Sequence, residues 1–165
     1  MSVTEQYILV LTELRQGDLG LLRRLGQTSL DKSVDGFDLF AGLWWPLRQR
    51  NHRAPRREIA WLIAKLYAFC PIEHVKQAYF PEQMGIAKPS QPEALQNYQK
   101  RFDQILVSPI GHLEGPMQWG LTWLRRTGLK IDWVKLTDDL SIWELESTRL
   151  NWAKAYLNPN ERNIK

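Results

Sequence analysis

WWPLRQRNHRAPRREIAWLIAKLYAFC, residues Trp44–Cys70, settles the class of architecture. From Pro55 onward the apolar residues Ile59, Leu62, Ile63, Leu66, Tyr67 and Cys70 recur at three- and four-residue steps, the spacing of one helix face. Pro55 fits the first helical position, where its missing N–H is no loss, and Pro71 follows the end. Trp61, Ala64 and Ala68 are apolar on the opposite side. A helix apolar on two sides packs between two partners, so this one is expected at the centre of a bundle. Before it, Pro46–Ala54 reads as a basic loop. Between Leu47 and Glu58 stand Arg48, Arg50, Arg53, Arg56, Arg57 and His52, and no acid.

Toward the N-terminus, Val3–Leu14 reads as a helix ended by Gly17. Asp18 is the expected N-cap of a helix over Leu19–Leu25, which carries Arg23 and Arg24, with Gly26 after it. Gln27–Gly36 is polar and reads as a loop; Phe37–Trp45 reads as a helix that stops before Pro46, because a proline disfavours the α region in the residue before it. Toward the C-terminus, Pro71, Pro81, Gly85, Pro89 and Pro92 punctuate a linker containing at most a helical turn around Glu73–Tyr79. Helical spacing returns over Glu93–Val107, then over a segment ending near Arg126 before Gly128. Asp132 is the expected N-cap of Trp133–Leu140, and Glu144–Leu157 closes the series before Pro159. No stretch alternates like a strand. The expected architecture is all-α: two small helical bundles packed side by side, no sheet, with an N-terminal bundle over 1–80, a linker over 81–92, a C-terminal bundle over 93–158 and a tail over 159–165.

Composition narrows the function. The 165 residues are 44% apolar, enough for a core, and no apolar run approaches the roughly 18 residues that span a bilayer. The N-terminus lacks a basic start and a small-residue cleavage site, so a cytoplasmic protein is expected. Cys70 is the only cysteine, which leaves no disulfide and no thiolate cluster. The three histidines, His52, His74 and His112, show no metal-binding spacing, and no metal or other cofactor is expected. There is no glycine-rich phosphate loop and no nucleophile motif. All-α ribonucleases of the HEPN type place four to six residues between an arginine and a histidine. Arg48 and His52 have three between them, so that motif is unmet, and no catalytic residue is assigned.

The net charge of +4 is unevenly distributed: residues 42–100 hold nine basic and four acidic side chains, whereas residues 1–41 hold four and six. A local cationic patch attracts a polyanion even in a mildly basic chain. Arginine suits a phosphate because its rigid fork of donors stays charged at any relevant pH. Aromatic rings add stacking on unpaired bases. Of the eight tryptophans, Trp119, Trp123, Trp133, Trp143 and Trp152 sit at helical spacings and are expected in the core; Trp119 and Trp123, four apart, share a face. Trp44 and Trp45 cannot share a helix face, so one of them is expected at an interface.

Four segments then carry a resemblance: KRFDQIL (Lys100–Leu106), Met117–Leu124, IDWVKLTDDLSIWE (Ile131–Glu144) and NWAKAYL (Asn151–Leu157). In this order and spacing they resemble the CasB family, the small subunit of the type I-E CRISPR Cascade complex. The N-terminal half resembles it more loosely, through Gly17-Asp18 before Leu22-Arg23-Arg24 and through the apolar helix ending near Leu66-Tyr67-Ala68. The resemblance implies two helical bundles without catalytic activity. It implies two copies in the complex, touching the large subunit and the backbone subunits, stabilising the duplex of guide RNA and target DNA and holding the displaced non-target DNA strand. The matched basic positions are Arg23, Arg24, Lys100 and Arg101, and the run Arg48–Arg57 supplies the local patch. Where the family commonly has arginine in its middle C-terminal helix, this chain has Gln118 after Met117, so that contact is either lost or carried by Arg125 and Arg126. A subunit that leaves sequence readout to base pairing needs charge and shape alone. The rival reading is a helical adaptor whose basic patch docks an acidic protein; a helix-turn-helix regulator and a nuclease rank below it. No membrane and no small-molecule ligand is implied.

Overall fold

The computed structural model describes residues 1–159, and the tail expected over 159–165 lies outside them from residue 160 on. Among the described residues there are nine α-helices and no strand; one isolated parallel bridge joins His74 to Ile131. The fold is all-α, as the periodicities require. No helix is long and apolar enough to cross a membrane. The chain divides into two compact units, Met1–Pro71 and Ile72–Lys165.

The first unit contains α1 (Val3–Thr12), α2 (Gln16–Arg24), α3 (Val34–Arg50) and α4 (Arg57–Phe69). α4 packs on α2 and α3, and α1 packs on α3. Ile59, Ile63 and Leu66 of α4 are fully buried, and so are Ala60, Ala64 and Ala68, so this helix is covered on both sides as its sequence demands. Tyr7 and Leu11 of α1, Leu19 and Leu22 of α2, and Phe40 and Leu47 of α3 are further large buried residues of this unit. The Tyr7 hydroxyl donates to the Ala60 carbonyl at 2.5 Å. Several expected boundaries move. Pro55, expected at the first helical position, precedes Arg56, the N-cap of α4; Asp18, expected as an N-cap, lies in the first turn of α2; and α3 begins at Val34 rather than Phe37. Gly17 lies inside α2 rather than ahead of it, and α2 is preceded by Arg15. α3 does not stop before Pro46 but continues to Arg50. The ring of Pro46 crowds the carbonyl four residues back and offers it no N–H. That residue is Gly42, which is exposed, so water can serve the orphaned carbonyl.

The second unit contains α5 (Phe80–Ile86), α6 (Pro92–Val107), α7 (Glu114–Arg126), α8 (Trp133–Ser141) and α9 (Glu146–Leu157). α6 packs on α7 and α9, and α5 packs on α9 and α7. Phe80, Met84, Phe102, Ile105, Leu121, Leu124, Trp133, Leu136 and Trp152 fill the core. Asp132 caps α8 as expected, accepting from the Lys135 N–H at 2.9 Å, and its other oxygen accepts from the Gln77 N–H at 2.9 Å. Gly128, at φ +75°, ends α7 in the left-handed conformation that glycine adopts without strain.

Residues 81–92, expected as a linker, include most of α5, whose Phe80, Pro81, Met84 and Gly85 are buried. Pro81 stands at the second residue of α5, where a helix tolerates it. The segment just before it is tied to the second unit. The Val75 N–H donates to the Ile131 carbonyl at 2.9 Å, the Asp132 N–H to the Ala78 carbonyl at 2.7 Å, and the Trp133 N–H to His74 Nδ1 at 3.0 Å. The division between units accordingly falls at Pro71–Ile72, not near residue 80.

Candidate nucleic-acid interface

The basic run lies on the last turn of α3, the turn after it and the start of α4. Its shape comes from its own arginines. Arg48 donates to the carbonyls of His52 at 2.8 Å and Ala54 at 2.7 Å, which closes the turn. Arg50 Nε donates to the Pro46 carbonyl at 3.2 Å. Arg56 is paired with Glu58 at 2.6 Å. Trp44 fixes the far side of the turn by donating its indole N–H to the Pro55 carbonyl at 2.6 Å. Arg50, Arg53 and Arg57 are exposed, and among the described residues none of the three has an ion-pair partner; Arg53 and Arg57 have no side-chain hydrogen bond either.

Arg57 also borders a groove of about 550 Å3 lined by Phe37, Phe40, Trp44 and Trp45. Trp45 is 50% exposed while Trp44 is half-buried and stacks on Phe40, so Trp45 is the surface member of the pair. A carboxylate tempers this region: Asp31 is held below its usual value, mainly by the Ser29 hydroxyl bond and to a smaller degree by the Lys32 and Arg57 charges. Arg23 and Arg24 are both exposed, but Arg23 Nε donates to the Ala68 carbonyl at 3.1 Å and so serves a carbonyl in the last turn of α4.

In the second unit, Lys100 and Arg101 of α6 face Trp119 and Trp123 of α7 across a groove of about 520 Å3, with Tyr98 between them. The Arg101 guanidinium lies over the Trp119 ring, 5.0 Å from its centroid. Tyr98 meets Trp119 edge-on at 5.3 Å and Trp123 at 5.1 Å. Tyr98 ionises only well above its ordinary value, first because burial disfavours the phenolate and then because Tyr156 is near. Arg125 and Arg126 are exposed in the last turn of α7, where cations suit the negative end of the helix. Gln118 is half-buried in the same helix. Among the described residues no group of three His, Cys, Asp or Glu side chains is gathered to hold a metal ion.

The tryptophans divide by their indole N–H groups. Trp44, Trp61, Trp123, Trp133 and Trp143 donate to backbone carbonyls, and Trp152 donates to Asp139 at 2.8 Å. Trp45 and Trp119 have no such acceptor among the described residues. Trp133, Trp143 and Trp152 are core residues as expected, but Trp119 and Trp123, also expected in the core, are half-buried at a groove wall. The sequence position of Trp119 carries the signal: it is two residues from both buried Met117 and buried Leu121, about 200° from each around the helix.

The order of these elements matches a known fold along nearly the whole chain. CasB of Thermobifida fusca aligns with a TM-score of 0.69 at 18% identity, covering 94% of this chain and 95% of that one. CasB of Thermus thermophilus aligns at 0.70 with 18% identity, covering 94% and 98%. A CRISPR-associated protein of the Cse2 family, also from Thermus thermophilus, aligns at 0.69 with 20% identity, covering 94% and 98%. At such identities the likeness speaks for the fold alone. No curated protein matches by sequence. The family model of CRISPR-associated protein Cse2, however, matches residues 18–157. The chain belongs to the Cse2 family. The resemblance drawn from the four C-terminal segments therefore holds, and the chain is a small subunit of a type I-E CRISPR Cascade complex. Within the Cse2 match lie all eleven basic residues singled out from the sequence, seven in the first unit and four in the second.

Proposed function

We propose that this Cse2 chain is a non-catalytic, cytoplasmic subunit that stabilises the R-loop of its complex. It holds the guide RNA–target DNA duplex and the displaced strand through phosphate contacts that ignore sequence. Its partners are then the nucleic-acid strands, the large and backbone subunits, and a second copy of itself. The observation that carries this reading is the division within the arginine run. Three arginines shape the turn, and Arg53 and Arg57 are left exposed with neither an ion pair nor a side-chain hydrogen bond among the described residues. Two unpaired cations on a turn that their neighbours hold rigid suit a phosphodiester backbone. Arg24, Lys100, Arg125 and Arg126 are exposed in the same way and extend the set.

Salt dependence tests it. Each phosphate contact to a single strand contributes about −0.7 to the slope of log K against log salt concentration, so Arg53→Ala/Arg57→Ala should flatten that slope by about 1.4. An unchanged slope would remove these two residues from the interface. If instead the patch docks an acidic protein, the chain should retain a partner after nuclease treatment and carry no nucleic acid.

A further inference from the structure

The groove between α6 and α7 is built differently from the arginine turn. Asn97, Lys100 and Arg101 stand at three- and four-residue steps on α6, with Ala94 one turn earlier leaving the floor low. The lining has two cations, one amide and no carboxylate. Its wall is Trp119, whose indole N–H finds no acceptor among the described residues, unlike that of Trp123 beside it, which donates to the Ala87 carbonyl at 2.9 Å. A large aromatic face is thus kept at the surface and held edge-on by Tyr98 at 5.3 Å.

We propose that this groove is a nucleotide pocket in which one unpaired base of a single strand stacks on Trp119, while Lys100 and Arg101 hold the adjoining phosphates. This rests on the reading of the chain as a phosphate-holding subunit and adds to it a preference for unpaired nucleotides. A stacked ring sits with its centroid about 4.5–7 Å from its partner, the position the Arg101 guanidinium now occupies at 5.0 Å. The base therefore replaces the guanidinium rather than slipping beneath it. Arg101 is exposed, so it can swing outward to a phosphate beside Lys100. The exchange favours the base, because stacking of a base on an aromatic side chain is worth more than an exposed cation–π contact. Every base has a π face, so the pocket discriminates paired from unpaired nucleotides and not one base from another. A duplex cannot use it, since its bases are already stacked.

The test uses the full chain and two labelled ligands of equal length: oligothymidylate, and an abasic deoxyribose–phosphate oligomer with the same charges and no bases. Fluorescence anisotropy should show oligothymidylate binding about tenfold tighter. Trp119→Ala should erase that ratio, while Trp119→Phe should keep part of it. Equal affinity of the native chain for both oligomers overturns the pocket and leaves the phosphate reading standing. It needs no variant, so a folding defect in Trp119→Ala cannot obscure it. If the native chain binds neither oligomer, the phosphate reading fails and the pocket falls with it.

Discussion

Arg48 and Arg53 stand five residues apart in one basic run and play different parts. Arg48 is half-buried and binds two carbonyls of the turn; Arg53 is exposed, and among the described residues only its backbone N–H is bonded, to Asn51 Oδ1 at 2.9 Å. Removing Arg48 strands the carbonyl of buried Ala54. Arg48→Ala is expected to lower unfolding stability by about 1–2 kcal/mol, because bonds from a charged donor exceed neutral ones and one acceptor is left without water. Arg53→Ala should change stability by less than about 0.5 kcal/mol, as exposed substitutions do. In nucleic-acid binding the pair reverses: Arg53→Ala lowers the salt slope by about 0.7 and Arg48→Ala leaves it as it was. Urea unfolding and salt titration of the two single variants check both halves. A common effect of the two substitutions on either quantity would mean that the run acts as undifferentiated charge.

The helix most easily lost in reading the sequence, α5, shows where element-level inference stops. Pro81 and Gly85 read as punctuation in the sequence, and each is what lets α5 exist where it does. Pro81 occupies the first turn, and Gly85 faces α9 so closely that an added Cβ would strike the Tyr156 carbonyl. Gly85→Ala removes a poor helix former yet should destabilise, by about 1–3 kcal/mol, since backbone rather than a movable side-chain tip must yield. An equal or higher denaturation midpoint in Gly85→Ala would show that α5 and α9 separate freely. The helices α4, α6 and α8 are legible in the sequence because each has a clean apolar stripe, and α6 and α8 start at the signals Pro92 and Asp132, whereas α4 starts two residues after Pro55. The extension of α3 through Pro46 is not, because it depends on an exposed Gly42 rather than on any local preference. The site is legible to the same degree. Charge locates the arginine run, but which arginines stay outward depends on carbonyls that only the folded turn presents. The spacing from Trp123 argues for a core Trp119, whereas its angle from Met117 and Leu121 places it off the core stripe.

Each of the two units hides a tyrosine whose hydroxyl donates to a backbone carbonyl, and this pair ties the stability of the entire chain to pH. Tyr7 bonds Ala60 at 2.5 Å in the first, and Tyr98 bonds Met84 at 2.6 Å in the second. Burial raises the pKa of both above the ordinary 10.0, and it pushes Tyr156 up to about 12. Ionising Tyr7 or Tyr98 would remove a donor and set an anion against a carbonyl oxygen. Above pH 10.0 the unfolded tyrosines release protons that the folded ones retain, so the unfolded state binds fewer protons and stability falls as pH rises. Well below that pH both states hold the phenolic proton and these groups contribute no slope. For Tyr7, fully buried, the loss is about 1 kcal/mol between pH 10 and 11. Urea unfolding should therefore give a lower free energy at pH 11 than at pH 9, and Tyr7→Phe should reduce that difference while losing its own hydrogen bond at both. Equal free energies for the native chain at the two pH values would mean that the Tyr7 phenolate is accommodated inside the bundle. The ordering between α1 and α4 would then rest on shape alone and not on the hydroxyl that joins them.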